Sequence, residues 1–555
     1  MSNIEDIRSN QPGNAGKRRF LQLAGSGIAG LSLGASSAFG KSDDSIEAVS
    51  NLDAGRRAQA YQRRLAAARE QKIEFDFGQQ TNGDETAIAN YAASYSKGLP
   101  HNDIGEVDPT AYQALLAALA TGGSADLAKV PMGTTPPARL VNSRAGFNFS
   151  LIGQDAQGIV TPPAPAFASA QTGAEMVEAY WAAMTRDVPF SDWGSDAVIA
   201  RAAADLSKQT GYKGPGAGAV TPGNIFRMDL PGTLNGPWLS QFYWLPITFG
   251  AFLGEQVYNP PLAGVDYSAN AADWLLNQRG GGGGPTAFNT TSKRYISNAR
   301  DLTRVLQLDP AIGFAGMYAM GASMTMARLG GFPRNPSLPP IAVNDNAGSN
   351  FFGPSVFQEL VTWVSNQALQ AVFWHKWQVH RRIRPEAYAG RVQNVIANGA
   401  SYPVASALLN SDALAAIYSR NGNYFLPQAW KGGCPAHPSY PSAHSVVSGA
   451  SITLLKAFYD GSTVFPNPVV ANADGSALVP YTGAPLTLEG ELNKLMVNSG
   501  VSRIQTGIHY RSDVLAGALL GEKVAISVLT EIKACYLDVF DGFTFNRFDG
   551  TKITV

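Results

Sequence analysis

The stretch SRIQTGIHYRSD, residues 502–513, indicates how the C-terminal part of the chain folds. Apolar residues recur at three- and four-residue steps on both sides of it, which predicts one helix over about 488–502 and another over about 512–532. Gly507 can end the first helix, because glycine readily takes the left-handed backbone that follows a helix. The second helix can then begin beside His509.

His509 and Asp513 are four residues apart, so on one helix the carboxylate can accept the imidazole N–H. Such a bond leaves a lone pair on the other ring nitrogen. The same pattern is often a purely structural hydrogen bond, so the pair alone leaves function open. Arg503 adds a cation to the same stretch.

Helical patterning extends over most of the chain, and period-two alternation is short and rare. We therefore predict an all-α protein of packed helix bundles with few short strands. A loose division near residue 340 separates an N-terminal helical region, 41–340, from a C-terminal bundle, 341–555, that is tightly integrated with it. Further helices are predicted near 54–71, 109–121, 173–184, 196–208, 312–328, 355–383, 403–419 and 444–459.

Composition argues against several classes of function. Lys plus Arg and Asp plus Glu each number 42, and 15% of residues are charged, so no net field attracts nucleic acid or an anionic membrane. No segment after residue 40 offers the roughly 18 uncharged apolar residues of a membrane span. The two cysteines, Cys434 and Cys535, are too few for a disulfide framework, although a single bridge stays open.

The first 40 residues differ from the rest of the chain. The sequence KRRFL, residues 17–21, precedes an apolar, Gly-rich stretch that ends in Ala38-Phe39-Gly40. This pattern is typical of a twin-arginine export signal over residues 1–40, and a disordered basic N-terminus is the alternative. Because that route carries folded proteins, we expect the protein to be exported, either to the periplasm or into the medium.

A second cluster of cations lies in KWQVHRRIRP, residues 376–385. Lys376 and Arg384 are roughly 80° apart around an ideal helix, so their long side chains can converge on one point. Pro385 disfavours helical geometry at Arg384, which predicts that the helix stops there. Alone, a basic helix end is usually only a favourable partner of the helix dipole.

A third cluster is HPSYPSAH, residues 437–444. Pro441 suits the first position of a helix, so Ser442, Ala443 and His444 are predicted to present backbone N–H groups without an intrahelical partner. Such a helix N-terminus binds anions, and Ser442 adds a hydroxyl. Pro-Ser is also an ordinary helix start, and His444 can equally be a capping or surface residue.

The three clusters together imply an oxyanion ligand. Burying Lys376, Arg384 and Arg503 side by side is prohibitive unless a multiply charged anion neutralises them. Guanidinium forks suit tetrahedral oxyanions, and lysine adds a point charge. The ligand is therefore phosphate-like, and His509 is either a nucleophile in phosphoryl chemistry or a ligand of a metal oxyanion.

The order Lys-x7-Arg-Pro, Pro-Ser-Ala-His and Ser-Arg-x5-His-x3-Asp resembles the signature shared by the vanadium-dependent haloperoxidases and the type 2 phosphatidic acid phosphatases. Three features are similar to the algal and cyanobacterial bromoperoxidases. They are the eight-residue step from Lys376 to Arg384, His437 in the third cluster, and IFRMDLPGTLNGPWLSQF at residues 225–242. The resemblance covers about residues 220 to 520.

The resemblance implies an oxidoreductase that uses hydrogen peroxide to oxidise halide to hypohalous acid, which halogenates small organic substrates. His437 implies a preference for bromide and iodide over chloride. A vanadate cofactor would be bonded through His509, which Asp513 orients, and His444 would be the acid–base group. The oxygens of the vanadate would be held by Lys376, Arg384, Ser442, the Ala443 N–H and Arg503. Lys376 would also polarise bound peroxide.

The resemblance also implies a homo-oligomer, and it leaves room for a calcium ion whose ligands the sequence does not identify. Two residues depart from the family pattern. Ala443 stands where glycine is usual, so its methyl narrows the space beside the vanadate and disfavours a positive φ. Phe373 stands where several relatives have tryptophan or arginine.

Two other functions remain open from the residues. A secreted acid phosphatase would use His509 as phosphoryl acceptor and His444 as proton donor. A non-catalytic oxyanion-binding protein would need neither His444 nor Asp513. The remaining histidines match no motif position and are predicted to be structural; they are His101, His375 and His380.

Overall fold

A computed structural model describes residues 47–73, 78–216, 219–307, 316–340, 342–343, 346–347, 352–536 and 540–555. The chain divides into two units, Met1–Leu65 and Ala66–Val555, and the site described below belongs to the second. The predicted export signal, 1–40, lies outside the described residues. The predicted division near residue 340 falls within the second unit and stays a prediction.

Helices dominate the described residues, which confirms the all-α prediction. Sixteen α-helices are found there. They are α1 (Glu47–Ile73), α2 (Asp84–Ala87), α3 (Pro109–Thr121), α4 (Ser124–Leu127), α5 (Ala170–Thr185), α6 (Ala197–Lys208), α7 (Ala271–Gln278), α8 (Ala299–Gln307), α9 (Gly316–Arg328), α10 (Pro354–Trp374), α11 (Pro385–Asn398), α12 (Ser406–Leu409), α13 (Asp412–Asn421), α14 (Ala443–Phe458), α15 (Leu488–Thr506) and α16 (Arg511–Lys533).

The strands are short and, in the described part of the chain, occur as four antiparallel pairs. Each pair joins neighbouring segments, so the helices organise the core. The pairs are β1 (Ile247–Phe249) with β2 (Phe252–Gly254), β3 (Ala342–Val343) with β4 (Asn346–Ala347), β5 (Val469–Ala471) with β6 (Leu478–Pro480), and β7 (Thr544–Asn546) with β8 (Lys552–Thr554).

The predicted helix set was incomplete. Helices α7, α8 and α11 and the single-turn helices α2 and α4 were not predicted. Helix α8 has only nine residues, and Arg300 and Asp301 on its polar face are buried with ion-pair partners. The predicted helix over 403–419 is two helices, because the Ser411 hydroxyl caps α13 by accepting from the Leu414 N–H.

The helix predicted over 355–383 ends earlier than expected. After α10, residues His375–His380 continue in wider π-helical turns, and Arg381 then takes a left-handed conformation with φ 36° and ψ 37°. Arg384 is extended, with φ −82° and ψ 153°, and Pro385 is the first residue of α11. The prediction of one helix up to Arg384 was wrong, although Pro385 acts on Arg384 as expected.

Helices α14 and α16 cross closely because glycines lie at the contact. A Cβ at Gly521 would come within 2.0 Å of a backbone oxygen of α14, and one at Gly449 within 2.5 Å of a backbone oxygen of α16. At the start of both helices, the Ser442 N–H donates to the Asp513 carbonyl oxygen at 2.9 Å. The crossing thus brings two of the three motifs together.

The segment 225–242 packs on α15, which is buried on all sides. The Ser240 N–H donates to Asn498 Oδ1 at 2.8 Å, and the Gln241 N–H donates to Glu491 Oε2 at 2.9 Å. The upstream segment that resembles the haloperoxidases is therefore bound to the helix that carries Arg503.

The described helices include none that is both long and apolar enough to cross a membrane. Both cysteines are free thiols, with Cys434 buried and Cys535 exposed.

Candidate active site

Lys376 lies in the wide turns after α10, and its side chain is fully buried. Its Nζ donates to the carbonyl oxygens of Pro438 and Ser439, both at 2.7 Å. These bonds tie the first cation of the KWQVHRRIRP motif to the HPSYPSAH segment. They use two of the three donors that an ammonium group has.

Arg384 connects all three motifs. Its Nε donates to the His437 carbonyl oxygen at 3.0 Å, and its Nη1 donates to the Ile508 carbonyl oxygen at 2.7 Å. The guanidinium also lies against two imidazoles, with Nη1 3.0 Å from His509 Nε2 and Nη2 2.9 Å from His437 Nδ1. Because a guanidinium has no acceptor, both ring nitrogens accept and carry lone pairs.

The predicted bond between His509 and Asp513 is present, with Nδ1 donating to Oδ2 at 2.8 Å. The predicted placement of both residues on one helix was wrong, because α16 begins at Arg511. Asp513 is the third residue of α16, and its Oδ2 also accepts from the Tyr510 N–H at 3.1 Å. The carboxylate therefore reaches the imidazole by folding back over the helix start, as in a capping box.

The HPSYPSAH segment leads into α14, but the helix begins later than predicted. Ser442, with φ −73° and ψ 120°, is the N-cap, and Ala443 is the first helical residue. Pro441 lies before the cap, so its assignment to the first helical position was wrong. An extended residue with a small side chain suits the cap position better than it suits the helix interior.

Ser442 and Ala443 are buried, and His444 is partly exposed in the first turn of α14. The Ser442 N–H was predicted to be available to an anion, but it donates to the Asp513 carbonyl oxygen. Among the described residues, the Ser442 hydroxyl is buried without a hydrogen-bond partner. Ala443 has helical backbone, so the expected conflict with a positive φ does not arise.

Arg503 lies in the last turn of α15, and 1% of its surface is exposed. Its Nη2 donates to the Leu306 carbonyl oxygen at 3.1 Å, and its guanidinium carbon is 5.1 Å from the centroid of the Trp430 ring. Gly507, with φ 94°, ends α15 as predicted. The side chain is thus held between α8 and an aromatic ring.

Lys376, Arg384, His437, His509 and Asp513 form one buried cluster, called the centre below. Burial and the positive charge of Arg384 together shift the pKa values of its titrating groups. Both hold the pKa of Lys376 well below its usual range, and both do the same to the pKa of His509 and of His437. Burial alone would raise the pKa of Asp513, but Arg382 and the bond from His509 hold it well below its usual range. The centre is therefore rich in donors and poor in negative charge.

The histidines outside the motifs have partners elsewhere in the protein. His375 Nε2 donates to the Ile159 carbonyl oxygen at 2.7 Å, and the Thr161 hydroxyl lies 3.2 Å from His375 Nδ1 and 3.1 Å from His380 Nε2. His101 Nδ1 donates to a backbone carbonyl oxygen at 2.8 Å. Burial lowers the pKa of His101 and of His375 to about 4, so both are neutral near pH 7.

A multiply charged oxyanion fits this centre. It can accept from the buried Ser442 hydroxyl, from the first-turn N–H groups of α14 and from the side chains of Lys376 and Arg384. The lone pair on His509 Nε2 accepts from Arg384 Nη1 in this structure, so it can bond the central atom once that hydrogen bond is given up. In the described part of the chain, no group of three or more His, Cys, Asp or Glu residues is arranged to hold a metal ion.

Comparison with known proteins shows which protein family has a similar sequence. The family model of the VCPO second helical-bundle domain matches residues 367–537, which include the three motifs. A vanadium-dependent bromoperoxidase of Ascophyllum nodosum is 33% identical over 520 residues, which cover 89% of this chain and 91% of the relative. The chain belongs to the vanadium-dependent bromoperoxidase family. The predicted enzyme class, a vanadium haloperoxidase, is confirmed by this membership.

Other members of the family show the same extent of similarity. A vanadium-dependent bromoperoxidase of Corallina pilulifera is 32% identical over 571 residues, covering 85% of this chain and 94% of the relative. The homohexameric structure of the second vanadate-dependent bromoperoxidase from Ascophyllum nodosum matches with a TM-score of 0.83 at 27% identity. That match covers 96% of this chain and 95% of that chain. The family fold thus extends over nearly the whole chain.

Three contacts of the centre were missed from the sequence. The Ser439 hydroxyl donates to Asp513 Oδ2 at 2.5 Å, Arg382 Nη1 donates to Asp513 Oδ1 at 2.8 Å, and Trp430 lies beside Arg503. The signal that could have identified Ser439 and Arg382 was their position inside the motifs. Spacing does not show which residues of a loop point inward, so neither residue was singled out.

Proposed function

We propose that this chain uses hydrogen peroxide to oxidise halide to hypohalous acid at the buried centre around His509, with vanadate as its cofactor. The His509–Asp513 pair carries the proposal. Asp513 Oδ2 accepts a hydrogen bond from His509 Nδ1 at 2.8 Å, which places the lone pair on Nε2, where it accepts from Arg384 Nη1 at 3.0 Å. A nitrogen ligand held next to fixed cations suits a metal oxyanion.

Each of the predicted residues would hold one part of the cofactor. His509 would bond vanadium through Nε2, and Asp513 would hold the imidazole in place. When bound, vanadate would supply a Lewis acid that activates peroxide while vanadium stays in oxidation state five. Its oxygens would accept hydrogen bonds from the side chains of Lys376, Arg384, Ser442 and Arg503 and from the Ala443 N–H.

His444 would move the proton of the reaction. It lies in the first turn of α14, one residue after Ala443, and it is partly exposed, so it can exchange protons with solvent. It would accept a proton from hydrogen peroxide as peroxide enters the centre. Lys376 would donate a hydrogen bond to the bound peroxide oxygen. The net reaction consumes one halide, one peroxide and one proton, and it forms hypohalous acid and water.

Reconstitution of vanadate-free protein with orthovanadate tests this proposal. Bromination of a phenolic dye with bromide and hydrogen peroxide is expected to appear only after vanadate is added. His509→Ala should lose retained vanadium, measured by elemental analysis after dialysis, because the bonding nitrogen is gone. His444→Ala is the matched variant and should retain vanadium while its kcat falls by about 100-fold to 10,000-fold.

Two outcomes would favour the other functions. Hydrolysis of a phosphate ester by vanadate-free protein, with no oxidation of bromide or iodide, would favour an acid phosphatase that uses the same oxyanion centre. Vanadate binding with turnover of neither substrate would favour a non-catalytic oxyanion-binding protein. Full vanadium retention by His509→Ala would contradict the assigned ligand.

We also propose that bromide and iodide are preferred over chloride and that His437 contributes to this preference. Its Nδ1 accepts from Arg384 at 2.9 Å, and its ring packs edge-on against Phe373 with 5.2 Å between centroids. His437→Phe removes the acceptor and should lower the ratio of kcat/KM for bromide to that for chloride. His437→Gln keeps an acceptor and should retain the ratio. Equal ratios in both variants would contradict the role of His437.

A homo-oligomer is proposed for the working protein. The support is the homohexameric bromoperoxidase of Ascophyllum nodosum, whose fold covers 96% of this chain. Light scattering of the purified protein should give a mass several times that of one chain, and a single-chain mass would contradict the proposal. Small organic molecules are the proposed acceptors of the halogen, and calcium stays a prediction without assigned ligands.

A further inference from the structure

Arg382 is a buried cation of the KWQVHRRIRP motif that the proposed chemistry does not use. Only 4% of its surface is exposed. Its Nη1 donates to Asp513 Oδ1 and to the Ser512 hydroxyl, both at 2.8 Å, and its Nη2 is 3.4 Å from Glu175 Oε2. The guanidinium carbon also lies 3.9 Å from the centroid of the Tyr510 ring. Arg382 thus contacts several groups at the start of α16.

The two carboxylate oxygens of Asp513 accept hydrogen bonds from different residues. Oδ2 accepts from His509 Nδ1, from the Ser439 hydroxyl and from the Tyr510 N–H, at 2.8, 2.5 and 3.1 Å. Among the described residues, the donor to Oδ1 is Arg382. A partial rotation of the carboxylate would move Oδ2 away from His509 Nδ1 and break that bond. Arg382 therefore opposes that rotation and fixes the direction of the bond.

Charge reinforces this geometry. Asp513 has no exposed surface, and burial favours its neutral form. The Arg382 guanidinium, 2.8 Å away, supplies the opposite charge that a buried carboxylate requires. The second acid near Arg382, Glu175, has its own donors, since the Ser512 N–H and hydroxyl donate to it at 3.0 and 2.7 Å.

We propose that Arg382 is a positioning residue for the vanadium-binding histidine: by holding Asp513 Oδ1 it orients the carboxylate that orients His509. This role rests on the proposed function, because it requires His509 to bond the cofactor. Arg382 need not touch vanadate itself. Outer residues that orient a ligand typically change affinity for the bound group by about 10-fold to 100-fold when they are lost.

Vanadate affinity measured by equilibrium dialysis tests the proposal, with the melting temperature of the vanadate-free protein as a second readout. Arg382→Met should raise the vanadate dissociation constant by about 10-fold to 100-fold. Arg382→Lys should raise it by less, about threefold to tenfold, because lysine keeps the charge but lacks the planar guanidinium, whose Nη1 contacts Ser512 and Asp513 while its Nη2 faces Glu175. This partial rescue separates positioning of Asp513 from general loss of structure.

Arg391 offers a matched control. It is 1% exposed, and its Nε and Nη1 donate to backbone oxygens of Ala92 and Gly105 at 3.1 and 2.8 Å. Arg391→Met and Arg391→Lys should lower the melting temperature and leave the vanadate dissociation constant of the folded protein unchanged. If Arg382→Met does not fold, Arg382→Lys compared with Arg391→Lys decides the matter.

The outcomes separate two failures. If the parent protein binds vanadate and the folded Arg382 variants bind it equally well, or if the Arg391 variants weaken binding to the same degree, the positioning role is overturned and the proposed function stands. If the parent protein binds no vanadate at all, the proposed function fails, and the role of Arg382 fails with it.

Discussion

Ala443 occupies the first position of α14, beside the buried Ser442 hydroxyl. It is 2% exposed and belongs to the buried hydrophobic core, at a position where the resemblance to the family implies glycine. Its backbone is helical, and a side chain there causes no strain. Alanine therefore adds a buried methyl group at the start of α14 and leaves the backbone N–H in place.

Restoring glycine at this position tests that view. Ala443→Gly is expected to keep the vanadate dissociation constant within about twofold, because the N–H remains. Its free energy of unfolding should fall by at most about 1 kcal/mol, since glycine has more backbone entropy to lose. Equilibrium dialysis and denaturant unfolding provide the two measurements.

Ala450→Gly, in the buried middle of the same helix, is the control for this substitution. It should cost at least as much stability as Ala443→Gly, because both changes remove a buried methyl group and this one places glycine in the helix interior. A tenfold loss of vanadate affinity in Ala443→Gly would show that the methyl group itself helps to hold the cofactor.

At the scale of elements, the last turn of α14 meets the hairpin formed by β7 and β8. Lys456 is 3% exposed there, its Nζ is 4.0 Å from the centroid of the Phe548 ring, and within the described residues Nζ has no hydrogen-bond partner. Burial lowers the pKa of Lys456 to about 8, although Glu522 opposes the shift. The hairpin is thus docked over a cation that burial disfavours.

Stability should depend on pH through Lys456. Its pKa of about 8 in the folded protein lies below the usual 10.5, so the unfolded chain binds more protons between these values. The contribution of Lys456 to stability therefore rises with pH across that window. Lys456→Met should raise the free energy of unfolding by roughly 1–3 kcal/mol at pH 7, after loss of the contact with Phe548, and by less at pH 10.

Urea unfolding at pH 7, 9 and 10 measures this effect. Lys208→Met is the control, since Lys208 is exposed and paired with Asp412 at 2.8 Å, and it should change stability by less than about 1 kcal/mol. A difference between Lys456→Met and the parent that stays constant over the three pH values would rule out titration of Lys456.

At the scale of the whole molecule, export is a proposal that rests on the arginine pair at residues 18 and 19. Replacing both with lysine should keep the enzyme in the cytoplasm, because the twin-arginine route requires the arginines themselves. Haloperoxidase activity in the periplasmic and external fractions measures export. The same change at Arg56 and Arg57, a second arginine pair, is the control and should leave export intact.

Several features of the centre were predictable because they depend on residue type and short spacing. The bond between His509 and Asp513 followed from their four-residue separation, and the end of α15 followed from Gly507. The local geometry was less predictable. The helical turns that follow α10 end at Arg381, and Ser442 is the N-cap of α14. Both details depend on the space that the neighbouring helices leave, which the sequence does not show.

The amino-acid sequence by itself determined the helical class, the family and the set of donors, because apolar periodicity and motif spacing are local properties. Only the tertiary structure decided which acceptor each of those donors contacts. Arg384 contacts His437 and His509 across 53 and 125 residues of chain, and Arg382 contacts Asp513 across 131 residues. Such contacts require the close crossing of α14 and α16, where glycines let the backbones approach, and no spacing along the chain encodes that approach.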